Sequence, residues 1–404
     1  MRSYRDLFRT PEFTPLFLAS AANVAASTVG GLALGVLVFR ATGSPLLSAV
    51  SMFGPQLAQM LGATFLLSGA DRLPPRTALA GVALAFAVGT AVLALPGLPV
   101  GAVFGVVLVQ GLVASLGGGV RFGLLNEILS KDGYLLGRSV FNMLAGLTQV
   151  AGYATGGALL TVLSPHDCLL LSAGCYAASA LIVRLGLSAR PPRASGRPSV
   201  RATWRTNALL WSSRPRRLAF LGLWIPNGLV VGCESLYVSY DTRAAGVLFA
   251  CAALGMFVGD VTVGRLVPAA VRPRLTTPLL LLLSGPYLLF FLEPSVPVAA
   301  AAVTLASVGF GASLVQQERL MALTPDETAG QALGLHAAGM LTMQGVAAAI
   351  AGSVAQLTSP AAAMTVMAAG SVVVTLGLWA AGRREERLPS VVPADPVGPV
   401  SPAP

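Results

Sequence analysis

The chain has 404 residues, of which 55% are hydrophobic and only 10% charged, and its mean hydropathy is +0.76. Soluble globular chains carry about 25% charged residues, so this composition excludes an ordinary soluble domain and points to a chain that crosses a bilayer repeatedly. The net charge of +10 falls where an anionic leaflet would meet it, so no nucleic-acid partner is expected.

Reactive side chains are few. Cys168, Cys175, Cys233 and Cys251 all fall inside apolar runs and read as small core residues. His166 and His336 stand alone without ligand spacing, so neither a metal nor a cofactor is expected. With no converging nucleophile and base, an enzyme is not expected either.

The N-terminal stretch MRSYRDLFRTPEF is basic and precedes an apolar run of about 25 residues, too long for a signal-peptide core of about 7 to 15. It therefore reads as a retained first helix. Apolar runs follow at 14–39, 45–68, 77–95, 99–119, 139–163 and 167–187, then at 218–240, 244–266, 275–292, 296–315, 332–356 and 360–381. At 1.5 Å per residue even the shortest spans roughly 27 Å. The expected fold is all-α, with twelve transmembrane helices.

Between the sixth and seventh runs lies a strap, 188–217, with Arg190, Arg193, Arg197, Arg201, Arg205, Arg214, Arg216 and Arg217 and no acid. The strap divides the chain into a half at 1–187 and a half at 218–382, followed by a Pro-rich tail at 383–404 that reads as disordered. With twelve spans, only Arg40 and Arg243 fall on the side opposite the strap. By the positive-inside rule the strap and both termini are cytoplasmic, in a cell membrane crossed many times.

The halves read as copies. Leu129-Ser130-Lys131-Asp132 matches Leu323-Thr324-Pro325-Asp326, Gly69 matches Gly264, and Gln149 matches Gln344, all at offsets of 194 or 195. Two parallel six-helix repeats place a small-molecule site at their interface near the bilayer midplane.

Polar residues inside the runs are candidates for that site. Glu234, in Gly232-Cys233-Glu234-Ser235, must face protein or a water-filled cavity, because an acid in hydrocarbon costs about 2.5 to 3.5 kcal/mol on insertion scales. It reads either as a proton carrier or as an outer-mouth residue hydrogen-bonded to Tyr237. Asn23, Gln110, Asn142, Gln149, His336 and Gln344 read as cavity candidates or as interhelical glue. Asp260 reads as paired with Arg265, and Arg121 and Glu127 flank the inner end of the fourth run.

Gly69-Ala70-Asp71-Arg72-Leu73-Pro74-Pro75-Arg76, between the second and third runs, resembles the signature loop of the major facilitator superfamily. Leu67, Pro74 and Pro75 stand where that family has two glycines and an arginine. The partner stretch Gly259-Asp260-Val261-Thr262-Val263-Gly264-Arg265-Leu266 keeps the arginine and has glycine in place of the acid. Gln110-Gly111 matches a fourth-span motif without its arginine. LFRTPEFTPLFLA, RATGSPL and QQERLMALTPDETAGQALGL resemble the branch that includes bacterial siderophore and drug exporters.

The resemblance implies a gating loop carried by Asp71, Arg72, Arg76, Asp260 and Arg265. It further implies a single chain that exports a small amphipathic or hydrophobic compound by alternating access. Protons are the expected coupling ion, taken up by Glu234. The alternatives are import or facilitated passage of a neutral solute, and a non-transporting scaffold.

Overall fold

The structure, a computed structural model, describes residues 4–70, 74–129, 131–191, 200–268 and 270–386. Among these residues all regular structure is helical. A short α1 (Tyr4–Phe8) leads into α2 (Phe13–Thr42), α3 (Pro45–Ala70), α4 (Pro75–Leu93), α5 (Val100–Ile128), α6 (Lys131–Val162) and α7 (Pro165–Gly186). The strap contains α8 (Val200–Ser212). It is followed by α9 (Arg214–Glu234), its short continuation α10 (Tyr237–Tyr240), α11 (Ala245–Val261), α12 (Arg272–Ser284) and α13 (Val296–Val308). The chain then runs through α14 (Ala312–Ala322), α15 (Ala329–Leu357) and α16 (Pro360–Glu386).

Nine helical segments among the described residues are long and apolar enough to cross a bilayer. The shortest, Pro75–Leu93, has 19 residues and rises about 28 Å. Helix suits these stretches because it satisfies every backbone N–H and C=O internally, which hydrocarbon demands. α3, α5 and α6 accompany them with 26, 29 and 32 residues.

The ends of the helices are chemically marked. Gly43 closes α2 at φ 65°, donating its N–H to Phe39 O at 2.8 Å, a left-handed conformation that glycine takes without steric cost. Ser164 and Asp167 form a reciprocal capping box at the start of α7, with Pro165 at its first position. α5 and α6 differ from expectation. Residues 120–138 carry too much charge to count as apolar run, yet they are largely helical, with α5 extending to Ile128 and α6 starting at Lys131.

Packing repeats along the chain. α2 lies against α6 and α7, α3 against α5, and α4 against α7; α9 likewise lies against α15 and α16, α11 against α13, and α12 against α16. The two groups meet chiefly through α3 on α15 and α6 on α11.

The largest apolar core joins Leu32 and Val36 of α2 to Val230, Leu248, Leu283, Val303 and Ala347. A second core, with Leu7, Phe13, Leu124, Phe141 and Leu187, closes the end holding the N-terminus. Beside it, Arg190 donates from Nη1 and Nη2 to Glu12 Oε2 and Oε1 at 2.5 and 3.0 Å, and Ser188 Oγ donates at 2.6 Å. Burial pushes the Glu12 carboxyl up, but the Arg190 and Ser188 hydrogen bonds outweigh it and hold it below the usual carboxylate range. Glu127 Oε2 lies 3.6 Å from Arg190 Nε, so this acid ties the end of α5 to the start of the strap.

Candidate functional site

Where the two groups of helices meet, a cavity of about 350 Å³ opens. α3 contributes Phe53 and Gln56, α6 contributes Gln149 and Tyr153, and α9 contributes Asn227, Val231 and Glu234. Phe249, Met256 and Asp260 come from α11, and Phe310, Ser313 and Gln344 complete the wall.

Glu234 reaches this cavity from the end of α9. Two residues earlier α9 approaches α15 closely, since a Cβ on Gly232 would lie 3.0 Å from Ala347 O. Glu234 is 5% exposed, and its Oε1 accepts no hydrogen bond. The expected alternative partner is engaged elsewhere, since Tyr237 Oη hydrogen-bonds Tyr287 Oη. Two further oxygens share this condition: Gln56 Oε1 and Asn227 Oδ1 are buried without partners and line the same cavity.

One end of the cavity is sealed. The Tyr153 ring of α6 stacks on Phe249 of α11 at 4.7 Å between centroids. Beyond it, a Cβ on Gly246 would fall 2.3 Å from Gly157 Cα, so the backbones of α6 and α11 touch. Across the other junction Ser44 Oγ donates to Gln356 Oε1 at 2.7 Å, and a Cβ on Gly352 would meet Leu46 Cα at 2.6 Å.

The residues expected at the site separate into groups. Glu234, Gln149, Gln344 and Asp260 line the cavity. Asn23 is instead bonded to Ser179 Oγ and Ala19 O, within the α2 and α7 pair. Gln110 Nε2 donates to Thr90 Oγ1 at 3.1 Å and Phe86 O at 3.3 Å. His336 is buried, its Nδ1 unpartnered and its backbone oxygen accepting from Trp224 Nε1 at 3.1 Å. These three are absent from the cavity lining. The Asn142 side chain lies outside the described residues, as do Asp71 and Arg72 of the gating loop.

Arg76 is the second residue of α4, its Nε buried without a hydrogen bond. Asp260 and Arg265 do not pair. α11 passes into a π turn at Thr262–Leu266, and Arg265 Nη2 lies 3.7 Å from Met143 Sδ of α6.

Gln56, Asn227, Tyr153 and Ser313 were not among the expected residues. Two had a readable signal: Pro55-Gln56 and Pro226-Asn227 each set an amide directly after a proline inside an apolar run. Intrahelical proline leaves a carbonyl free and concentrates polarity at one level of a membrane helix.

A larger cavity, about 690 Å³, lies between α4 and α5. Its wall is aliphatic and glycine apart from Gln110, whose amide nitrogen is already engaged. The smaller cavity, with unsatisfied polar oxygens, is therefore the candidate site. Among the described residues no three His, Cys, Asp or Glu side chains cluster as metal ligands do.

No family model matches the chain. It is similar to the enterobactin exporter EntS of Salmonella typhimurium (strain LT2), with 26% identity over 276 residues, 66% of this chain and 66% of that protein. The EntS of Citrobacter koseri is 28% identical over 280 residues, again 66% of each. Among solved structures, a POT family transporter in complex with 5-aminolevulinic acid superposes with a TM-score of 0.72 at 13% identity, covering 92% of this chain and 96% of the other. The nucleoside transporter NupG gives 0.73 at 13% identity over 91% and 98%. An inward-facing, occupied bacterial homolog of the human lysosomal transporter Spinster gives 0.70 at 13% over 95% and 98%. The chain is a helical membrane protein with the fold of the major facilitator superfamily, and in sequence it resembles that superfamily's efflux branch.

Proposed function

We propose that this protein is a secondary transporter of the cell membrane that exports a small amphipathic compound by alternating access. The observation that carries the reading is the position of the cavity. It lies where α3 meets α15 and α6 meets α11, and it holds a buried acid. The described helices supply two repeated groups of six rods, which we read as twelve spans. On the positive-inside rule both termini and the strap face the cytoplasm. The sealed end, with Ser44 and Gln356, is then the outer one.

Export is favoured over import by the sequence relatives, whose names mark them as exporters. The solved neighbours include a nucleoside transporter, so import of a neutral solute is the second reading. Glu234 is the proton-coupling group in this account, because it is the buried acid of the cavity and is free to exchange its proton as access switches. Asp71, Arg72, Arg76, Asp260 and Arg265 are assigned to the inner gate.

The test compares a host with and without the protein on a panel of amphipathic toxic compounds, followed by flux in oriented vesicles. Expression is expected to raise tolerance to part of the panel, and vesicles are expected to move those compounds outward. Glu234→Gln is expected to abolish the response of flux to an imposed pH gradient. Inward flux would replace export with import, and an unchanged pH response in Glu234→Gln would remove the coupling role.

A further inference from the structure

Three acceptor oxygens on two helices, Glu234 Oε1 and Asn227 Oδ1 on α9 and Gln56 Oε1 on α3, face one cavity without a donor. Glu234 and Asn227 are 5% and 6% exposed. Buried polar groups are almost always hydrogen-bonded, and an exception needs an explanation. Asp260 adds a second acid to the wall, and none of the lining residues is basic.

The remaining wall carries Phe53, Tyr153, Phe249 and Phe310. Aromatic faces attract cations through their quadrupole, more strongly where water is excluded. An acceptor-rich, acid-bearing wall that also carries aromatic rings fits a ligand with N–H donors, positive charge and a flat apolar body.

We infer that the cavity binds a protonated organic amine, its ammonium held by Glu234, with Asn227 and Gln56 as further acceptors along the wall, and its apolar body held among the aromatic rings. This rests on the transporter reading above and names the substrate class for that site. Size supports it, since about 350 Å³ falls within the range of small-molecule pockets, roughly 300 to 1,000 Å³. A bare inorganic cation would leave most of that space and all of the rings unused.

The test uses full-length protein in detergent at pH 7 and three naphthalene probes of matched shape. They are 2-(2-naphthyl)ethylamine, which is protonated, 2-(2-naphthyl)ethanol, and 3-(2-naphthyl)propionate. Equilibrium dialysis is expected to show the amine binding at least tenfold more tightly than the alcohol, with the carboxylate weakest. Glu234→Gln is expected to bring amine and alcohol within threefold of each other, while Glu234→Asp retains the preference and so separates lost charge from lost folding.

Equal binding of amine and carboxylate overturns the inference, as does absence of binding by all three or a preference that survives Glu234→Gln. A preference that is present in potassium chloride and vanishes in sodium chloride at equal ionic strength also overturns it, assigning the oxygens to an inorganic ion. Binding is read here without flux. Amine binding with no vesicle transport would therefore retain the cation site and reject the transporter, and transport confined to neutral or anionic compounds would do the reverse.

Discussion

Gly246 and Gly157 hold the sealed end together by having no side chains. A Cβ on Gly246 would strike the Gly157 backbone, which cannot swing aside as a side chain can. Gly246→Ala is expected to lower thermal stability in detergent by about 1 to 3 kcal/mol, the range for overpacked interiors. Gly105 in α5 meets nothing within 4 Å, and Gly105→Ala is expected to raise stability by about 0.4 to 1 kcal/mol, because alanine restricts the unfolded chain. Thermal unfolding of the two variants side by side checks both signs, and equal shifts would contradict the contact. At this scale the sequence was readable in part. Glu234, Gln149 and Gln344, which line the cavity, could be singled out because polar atoms in hydrocarbon stand out. Asn23 and Gln110 were equally conspicuous, but their helices are apolar on every side, so no stripe shows which face meets the cavity.

α8 turns the strap from a tether into a docked element. Leu210 is 1% exposed and packs with Phe220, Leu223 and Leu320, while Trp211 stacks on Trp224 at 5.6 Å. Gln331 Nε2 donates to Asn207 Oδ1 at 2.9 Å, fixing α8 to α15 as well as α9. Trp204 and Leu209 stay exposed on the other side. A charge placed at Leu210 would be buried without a partner, which strongly favours undocking. Leu210→Asp is expected to speed tryptic cleavage after Arg205 several-fold, read by mass spectrometry of the intact fragments. An unchanged cleavage rate would contradict the docking. The sequence held the signal in the apolar run Ala208-Leu209-Leu210-Trp211 near the end of the strap. The density of arginine hid it, because a highly charged stretch reads first as solvated chain.

The whole molecule repeats one packing plan twice, and this was the most legible part of its sequence. Landmarks at offsets of 194 and 195 lead one to expect equivalent helices, and α2 packs on α7 as α9 packs on α16. The run boundaries were less legible, since α5 and α6 continue through charged residues that hydropathy alone assigns to a loop. Contact between the groups runs mainly through α3 with α15 and α6 with α11, with α10 also touching α2 and α3, so a rocking motion has two principal seams to open. Ser44 and Gln356 cross one of those seams at the sealed end.

The account requires that seam to part once in every transport cycle. The decisive measurement is vesicle flux of a transported compound by Ser44→Cys with Gln356→Cys, in a background where the four native cysteines are replaced. Flux is compared before and after closure by a short bifunctional thiol reagent that is cleaved by reduction. Flux is expected to fall at least tenfold on cross-linking, to return on reduction, and to be unaffected by the reagent in either single variant. Full flux through a completely cross-linked protein would contradict alternating access at this cavity.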